Sequence, residues 1–168
     1  IIYQLTGRYV SDCSMLCSTL YWDITTKKYW QPMLDELGMT EDNFPEILEP
    51  GEVAGTILPE MAEKLGLSKD VQVCTGAMDN AIGAVGVGAV RSGMFSESIG
   101  STLAVCVPTD KIVYDPNQQM PVHYYPIKDT YMMHTFTSGG ICLRWYRDNF
   151  CQMEMTCAEM TGDDSYDL

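Results

Sequence analysis

The sequence predicts an α/β fold, in which short strands alternate with helices. The clearest unit lies near the middle of the chain, where the strand-like run 71–75 precedes a glycine-containing turn and a helix-like run over 81–90. A predicted hairpin over 94–107 and several helices with proline near the start and glycine at the end support the same class. Because 46% of the 168 residues are hydrophobic, a packed core is expected rather than disorder.

The N-terminal part is predicted to contain one short strand and two helices. Residues 20–24 are typical of a strand, and residues 25–28 of the turn after it. Helices are predicted over 30–37 and 59–65, because each has a proline in its first turn, apolar residues at helical spacing and a glycine after its end. The proline-containing stretch 43–51 is expected to be a loop.

The predicted helix over 81–90 contains Gly83, Gly86 and Gly88. Glycine costs a helix about 1 kcal/mol relative to alanine, so three of them indicate that something packs very close against this helix. Their spacing resembles a dinucleotide-binding fingerprint only superficially, since they lie within the helix and not between strand and helix. The sequence has no P-loop either, so any ATP site requires a different fold.

The C-terminal part is predicted to begin with the hairpin, whose arms are 94–99 and 103–107. Residues 108–129 contain several prolines and are expected to be irregular. A strand is predicted over 131–137, and a helix from 138 to about 150.

The charge of the chain excludes several classes of partner. Ten Lys and Arg residues stand against 23 Asp and Glu residues, a net charge of −13. Nucleic acids and anionic membranes need a basic face, so neither is expected as a partner. No apolar run approaches the roughly 20 residues of a membrane span.

The seven cysteines indicate neither a disulfide framework nor a metal site. Their number is odd, no C-x-x-C pair occurs, and neither His123 nor His134 stands at zinc-motif spacing from a cysteine. We therefore expect reduced thiols in a cytoplasmic protein and assign no metal-ligating residue.

Asp79 is the strongest candidate for a chemical role, because it stands between a predicted strand and a predicted helix. As a helix N-cap it would accept hydrogen bonds from backbone amides, and taken alone the pattern favours this interpretation. As a carboxylate at the carboxyl edge of a strand, it could instead accept a proton from a substrate hydroxyl. The two roles can coexist.

Two further segments could bind an anion. Gly100-Ser101-Thr102 combines a tight turn with two hydroxyls, although an ordinary hairpin turn explains a lone sequence of this kind more often. Ser138-Gly139-Gly140 precedes a predicted helix, which suits a phosphate or the close packing of a nucleotide.

Taken together, these segments resemble the FGGY family of carbohydrate kinases, members of the actin-like ATPase superfamily, and within it most closely the xylulose kinases. The match runs from residue 1 to about 150 in the family's order. The segments that carry it are 3–8, 11–14, 21–23, Trp30, 44–45, Gly55, 65–67, 76–86, 98–102, 138–140 and 143–145. Ser101-Thr102 replaces the family's usual Thr-Ser, which keeps two hydroxyls.

The resemblance implies an α/β, ribonuclease H-like (actin-like ATPase) fold, of which the chain would be an internal fragment. Residues 1–92 would be the C-terminal part of the family's N-terminal, sugar-binding domain. Residues 93–168 would be the N-terminal part of its C-terminal, nucleotide-binding domain. The family's Asp-x-Gly-Thr phosphate segment and Gly-Gly-Gly adenosine loop do not occur in this sequence, so the chain alone is expected to be inactive.

The resemblance also implies an activity: transfer of the γ-phosphoryl of ATP, with Mg²⁺, to a hydroxyl of a ketopentose. Asp79 would be the general base and contact the sugar, and Asn80 would hydrogen-bond the sugar. The phosphates and nucleotide would be held by Gly100, Ser101, Thr102, Gly140 and Arg144.

D-xylulose is the expected substrate, because an Asn after the base is similar to xylulose kinases whereas glycerol kinases have Gln there. Glycerol, gluconate and ribulose stay open as alternatives, as does a non-catalytic actin-like protein that only binds nucleotide or sugar. The sugar and ATP are the expected partners, and a homodimer of the full-length enzyme stays open.

Overall fold

The computed structural model describes residues 1–167 and shows the α/β fold that the sequence predicts. The helices are α1 (Ile2–Thr6), α2 (Cys13–Leu16), α3 (Gln31–Leu37), a 3-10 turn (Glu41–Asn43), α4 (Pro59–Leu65), α5 (Asp79–Gly86), α6 (Gly140–Phe150) and α7 (Gln152–Thr161). The strands are β1 (Val10–Asp12), β2 (Trp22–Asp23), β3 (Lys28–Tyr29), β4 (Glu46–Leu48), β5 (Val53–Thr56), β6 (Gln72–Cys74), β7 (Ser96–Ile99), β8 (Thr102–Thr109), β9 (Val122–Tyr124) and β10 (Tyr131–Ser138). No helix within the described part of the chain is long and apolar enough to span a membrane.

The chain forms two compact units. The first unit contains residues 1–96 and 106–134, and the second contains residues 97–105 and the described residues from Thr135 onward. One four-stranded sheet has the order β7-β8-β10-β9. Strands β8 and β10 each begin in one unit and end in the other.

Short paired strands organise the first unit. Strand β1 pairs with β4 in parallel, with Asp12 opposite Leu48. Three antiparallel pairs join β2 to β3, β5 to β6 and β9 to β10. The β5–β6 ladder shifts register between Val53 and Gly55, which marks a local bulge.

Two clusters of buried side chains form the core of the first unit. The first packs α5 against β8 and the β9–β10 region, and it consists of Met78, Ala81, Ala84, Ala89, Cys106, Tyr125 and Met132. The second lies around α2 and consists of Cys13, Leu16, Trp22 and Tyr124. Helix α5 is therefore buried on the side that carries Ala81 and Ala84.

The two helices predicted in the N-terminal part are confirmed as α3 and α4. Each has proline in its first turn, where the missing amide costs no helical hydrogen bond. Each ends at a left-handed glycine, Gly38 with φ of 65° and Gly66 with φ of 67°. Local stop signals therefore set these boundaries.

Two segments expected to lack regular structure contain strands instead. The predicted loop over 43–51 includes β4, and the predicted irregular stretch over 108–129 includes β9. Both predictions were wrong. Strand β4 is stabilised by pairing with β1, which is distant in sequence, and β9 by pairing with β10 across a loop. Local propensity does not show such partners.

The close packing expected at the three glycines of the predicted helix over 81–90 is also wrong. Helix α5 ends at Gly86, and Gly88 lies beyond it with φ of 92°. A Cβ atom added at Gly83, Gly86 or Gly88 would meet nothing within 4 Å among the described residues. The left-handed backbone at Gly88 explains why a glycine stands there. At Gly83, the space where a side chain would lie is open.

Candidate active site

Asp79 is the first residue of α5, directly after β6 and a four-residue turn. Its side chain is exposed, and its carboxylate accepts a hydrogen bond of 2.7 Å from the Asn80 amide. Met78, not Asp79, occupies the N-cap position, without a capping side-chain bond. The N-cap interpretation of Asp79 is therefore wrong, because the helix begins one residue earlier than that role requires.

The turn before Asp79 is fixed by three hydrogen bonds. The Thr75 amide donates to the carbonyl of Glu52 at 2.9 Å, and the Thr75 hydroxyl donates to the carbonyl of Glu49 at 2.7 Å. The Met78 amide donates to the hydroxyl of Ser14 at 2.9 Å. The backbone that carries Asp79 is thus held from two sides, while its carboxylate faces solvent.

Ser14 is in turn fixed by Asp12, and sequence reasoning assigned neither a role in the site. The buried Asp12 carboxylate caps α2 by accepting from the amides of Ser14 at 2.9 Å and Met15 at 3.1 Å. It also accepts from the Ser14 hydroxyl. Asp is a typical N-cap residue, so Asp12 could have located the start of α2, but not the contact of Ser14 with Met78.

Two buried histidines adjoin this region. Burial lowers the pKa of His134, while the Asp79 carboxylate acts in the opposite direction, which places the two groups within electrostatic reach. Burial, together with His134, lowers the pKa of His123 to about 4. The two rings meet edge to face at 5.4 Å. Sequence reasoning considered both histidines only as metal ligands, because burial is not visible in the sequence.

The predicted hairpin turn is present between β7 and β8. The Gly100 amide donates to the Thr102 carbonyl at 2.8 Å, which closes the turn. Ser101 and Thr102 are exposed, and neither hydroxyl forms a hydrogen bond with any described residue. Both hydroxyls are therefore available to an anionic ligand.

The start of α6 packs directly on this turn. The amide of the N-cap residue Gly139 donates to the Ser101 carbonyl at 3.1 Å, and two amides of α6 donate likewise, Gly140 to Gly100 at 2.8 Å and Ile141 to Ser101 at 3.3 Å. These amides satisfy the hairpin and are not directed to a ligand. The structure thus brings the Gly100-Ser101-Thr102 turn and the Ser138-Gly139-Gly140 segment into contact, although Gly100 and Gly139 are 39 positions apart in the sequence.

Glycine is required at both positions where α6 meets the turn. A Cβ atom on Gly139 would lie 2.7 Å from the Leu103 amide nitrogen, and one on Gly140 would lie 2.5 Å from the Gly100 oxygen. Arg144 follows one turn later on α6, is exposed, and forms no ion pair or hydrogen bond with residues 1–167. Its guanidinium is free to meet a negative charge.

The predicted site residues therefore fall into two groups. Asp79 and Asn80 lie in the first unit, and the hairpin turn, Gly140 and Arg144 lie in the second. No group of three or more His, Cys, Asp or Glu side chains in the described chain could hold a metal ion.

The fold is that of the actin-like ATPases, as a solved relative shows. The structure of a ligand-bound xylulose kinase from Lactobacillus acidophilus matches with a TM-score of 0.82 and 28% identity, over 95% of this chain and 34% of that one. The expected α/β, ribonuclease H-like fold is confirmed. The model of the N-terminal domain of the FGGY family of carbohydrate kinases matches residues 1–86, and the chain belongs to that family.

Curated relatives match over the whole chain. The autoinducer-2 kinase of Escherichia coli K12 is 29% identical over 169 residues, which cover 100% of this chain and 32% of that protein. The gluconokinase of Bacillus subtilis is 27% identical over 168 residues, which cover 33% of it. The chain thus spans about a third of the length of these relatives.

Proposed function

We propose that this chain belongs to an ATP-dependent sugar kinase in which Asp79 is the general base that takes the proton of the attacking sugar hydroxyl. The observation that carries the proposal is the exposed carboxylate of Asp79 on a backbone fixed by one buried and one part-buried hydrogen bond. Phosphoryl transfer depends mainly on positioning and on charge stabilisation, and a rigid base at a helix start supplies the first of these.

The surroundings of Asp79 favour this role. The N-terminal end of a helix favours a negative charge nearby, and a carboxylate in its ionised form is the form that accepts a proton. Its neighbour Asn80 is exposed as well, and its amide can both donate to and accept from sugar hydroxyls. We propose that Asn80 binds the sugar beside the base.

The hairpin turn of the second unit suits the phosphates of ATP. Ser101 and Thr102 present free hydroxyls, and Gly100 lets a ligand approach the backbone. We propose that these residues hold the phosphates, with Gly140 and Arg144 on the nucleotide side. No group of three or more His, Cys, Asp or Glu side chains among the described residues could hold a metal ion, and we propose that Mg²⁺ is bound together with ATP.

We also propose the division of this segment into a sugar-binding part, residues 1–92, and a nucleotide-binding part, residues 93–168. The match to the family's N-terminal domain over residues 1–86 supports the first part. The cytoplasmic location and the homodimer stay predictions.

For the substrate we propose a ketopentose, D-xylulose first. Asn80 after the base and the structural similarity to a xylulose kinase support this choice. Similarity to an autoinducer-2 kinase and to a gluconokinase keeps other polyhydroxylated substrates open. Rates on D-xylulose, ribulose, gluconate and glycerol, measured with the full-length gene product, test the choice, and a clear preference for glycerol or gluconate would overturn it.

Asp79→Asn in the full-length gene product tests the catalytic role. We expect kcat to fall by about 10²- to 10⁴-fold, the usual contribution of a general base, while ATP binding changes less than threefold. Asp70→Asn is the matched control, because Asp70 is exposed and lies outside the site. A near-normal rate in Asp79→Asn would reject the base.

We propose that the 168-residue chain alone shows no turnover; it spans about a third of the length of its relatives. Measurable turnover by the purified chain would contradict this expectation. A full-length gene product that binds ATP and sugar without transferring phosphate would favour a non-catalytic actin-like protein.

A further inference from the structure

We infer that Ser14 is a positioning residue for Asp79, which it holds through the backbone amide of Met78. The inference rests on the proposed function, because it gives Ser14 a part in catalysis only if Asp79 is the base. The new element is that the hydroxyl of Ser14, 65 positions before Asp79 in the sequence, determines the position of the Asp79 carboxylate.

The contact between Ser14 and Met78 is buried and directional. Ser14 has no exposed surface, and its Oγ accepts the Met78 amide at 2.9 Å. The proton of the same hydroxyl is donated to the Asp12 carboxylate. Because the proton points to Asp12, a lone pair of the oxygen is left for the Met78 amide, and rotation of the hydroxyl would break its bond to Asp12.

Asp12 is itself held in place. It is the last residue of β1, where it stands opposite Leu48 of β4. Its carboxylate also accepts two amides of α2, from Ser14 and Met15. A strand end and a helix start thus fix the carboxylate that orients Ser14.

The contact acts at the residue directly before Asp79. The side chain of Met78 is buried in the cluster with Ala81 and Tyr125, while its amide is bound by Ser14. Two anchors of different kind therefore fix the peptide that leads into Asp79. A general base must lie within hydrogen-bond reach of the proton it takes, and a displacement of about 1 Å can cost about 10²-fold in rate.

A purely structural role would make a different prediction. If Ser14 only stabilised the fold, its loss would lower stability and leave the kcat of the folded enzyme unchanged. A positioning role lowers kcat in the folded enzyme, while KM for ATP stays the same because the nucleotide contacts other residues.

The experiment compares Ser14→Ala with Ser18→Ala in the full-length gene product. Ser18 is the matched control: its hydroxyl contacts the sulfur of Met78 at 3.6 Å and leaves the Met78 amide untouched. We expect Ser14→Ala to lower kcat at least tenfold with KM for ATP within twofold, and Ser18→Ala to behave as the parent. Hydrogen exchange should show faster exchange of the Met78 amide in Ser14→Ala alone.

Normal kcat in a folded Ser14→Ala enzyme whose Met78 amide exchanges faster would overturn the inference and leave the role of Asp79 intact. Normal kcat in Asp79→Asn would instead reject the proposed function itself. If Ser14→Ala does not fold, Asp12→Asn serves as the second variant, since it keeps an oxygen for the same donors but removes the charge. We then expect kcat to fall at least threefold at unchanged KM for ATP, and an unchanged kcat would overturn the inference.

Discussion

The amide of Gly140 donates a hydrogen bond of 2.8 Å to the carbonyl oxygen of Gly100, and a Cβ atom on Gly140 would lie 2.5 Å from that oxygen. Helix α6 therefore rests on the hairpin turn at a distance that only glycine allows. The contact is between two backbones, so no side-chain rotation can relieve a substituent.

Gly140→Ala is accordingly expected to destabilise the second unit by about 2 kcal/mol, as overpacking of a fixed contact does. Hydrogen exchange of residues 97–105 and 140–150 should show faster opening of both segments, and denaturant unfolding should give the loss of stability. Unchanged exchange at the hairpin would show that α6 does not hold the turn.

Gly83→Ala is the matched helical control and is expected to act in the opposite direction. The position lies within α5, and a Cβ atom there meets nothing within 4 Å. Because alanine loses less backbone entropy in a helix, we expect stability to rise by about 0.5–1 kcal/mol in urea unfolding. A loss of stability would indicate a close neighbour at Gly83 after all.

The sequence predicts those elements whose signals are local. Helices α3 and α4 follow from a proline near the start and a glycine at the end, and both end where Gly38 and Gly66 take left-handed conformations. The sequence also places Asp79 between a strand and a helix, because the glycine-containing turn before it is a local signal of only a few residues.

Contacts between distant segments could not be predicted in this way. Strand β4 needs β1, whose residues lie 36 positions earlier in the Val10–Glu46 register. The bond between Ser14 and the Met78 amide spans 64 positions, and the burial of His123 results from packing. Propensity and spacing carry no information on such pairings.

Tyr124→Phe tests a polar network that joins three loops of the first unit. The buried Tyr124 hydroxyl donates to Glu49 at 2.8 Å and accepts from the Asp129 amide at 2.8 Å and from Lys27 at 3.2 Å. Burial raises the pKa of Tyr124 to about 12, so the hydroxyl keeps its proton at neutral pH. Loss of the hydroxyl removes one hydrogen-bond partner from each of Glu49, Asp129 and Lys27, and we expect the free energy of unfolding to fall by about 2 kcal/mol.

Tyr131→Phe is the control for that variant. The Tyr131 ring meets the Tyr124 ring edge to face at 5.7 Å, so the substitution keeps the aromatic contact and removes a hydroxyl outside the network. Unfolding in urea should show little change for Tyr131→Phe. Equal losses in the two variants would show that the network adds nothing to stability.

The pH dependence of stability tests the burial of His123. Its pKa is lowered to about 4 in the folded chain, first by burial and then by His134, whereas an unfolded histidine has a pKa of about 6.5. Between these values the unfolded chain binds a proton that the folded chain does not, so stability falls as the pH decreases from about 6.5 to about 4. The loss from this group should reach about 3 kcal/mol and be absent above pH 7.

Urea unfolding of the parent and of His123→Phe at pH 7.5, 6.0 and 4.5 separates this effect from the titration of carboxylates, which both proteins share. Phenylalanine cannot bind a proton, so the variant should lose less stability on acidification, and the difference between the two proteins should grow as the pH falls. His134 also has a lowered pKa through burial and is kept in both proteins, so its contribution cancels to first order. Parallel pH profiles would show that His123 takes up its proton as readily in the folded chain as in the unfolded one.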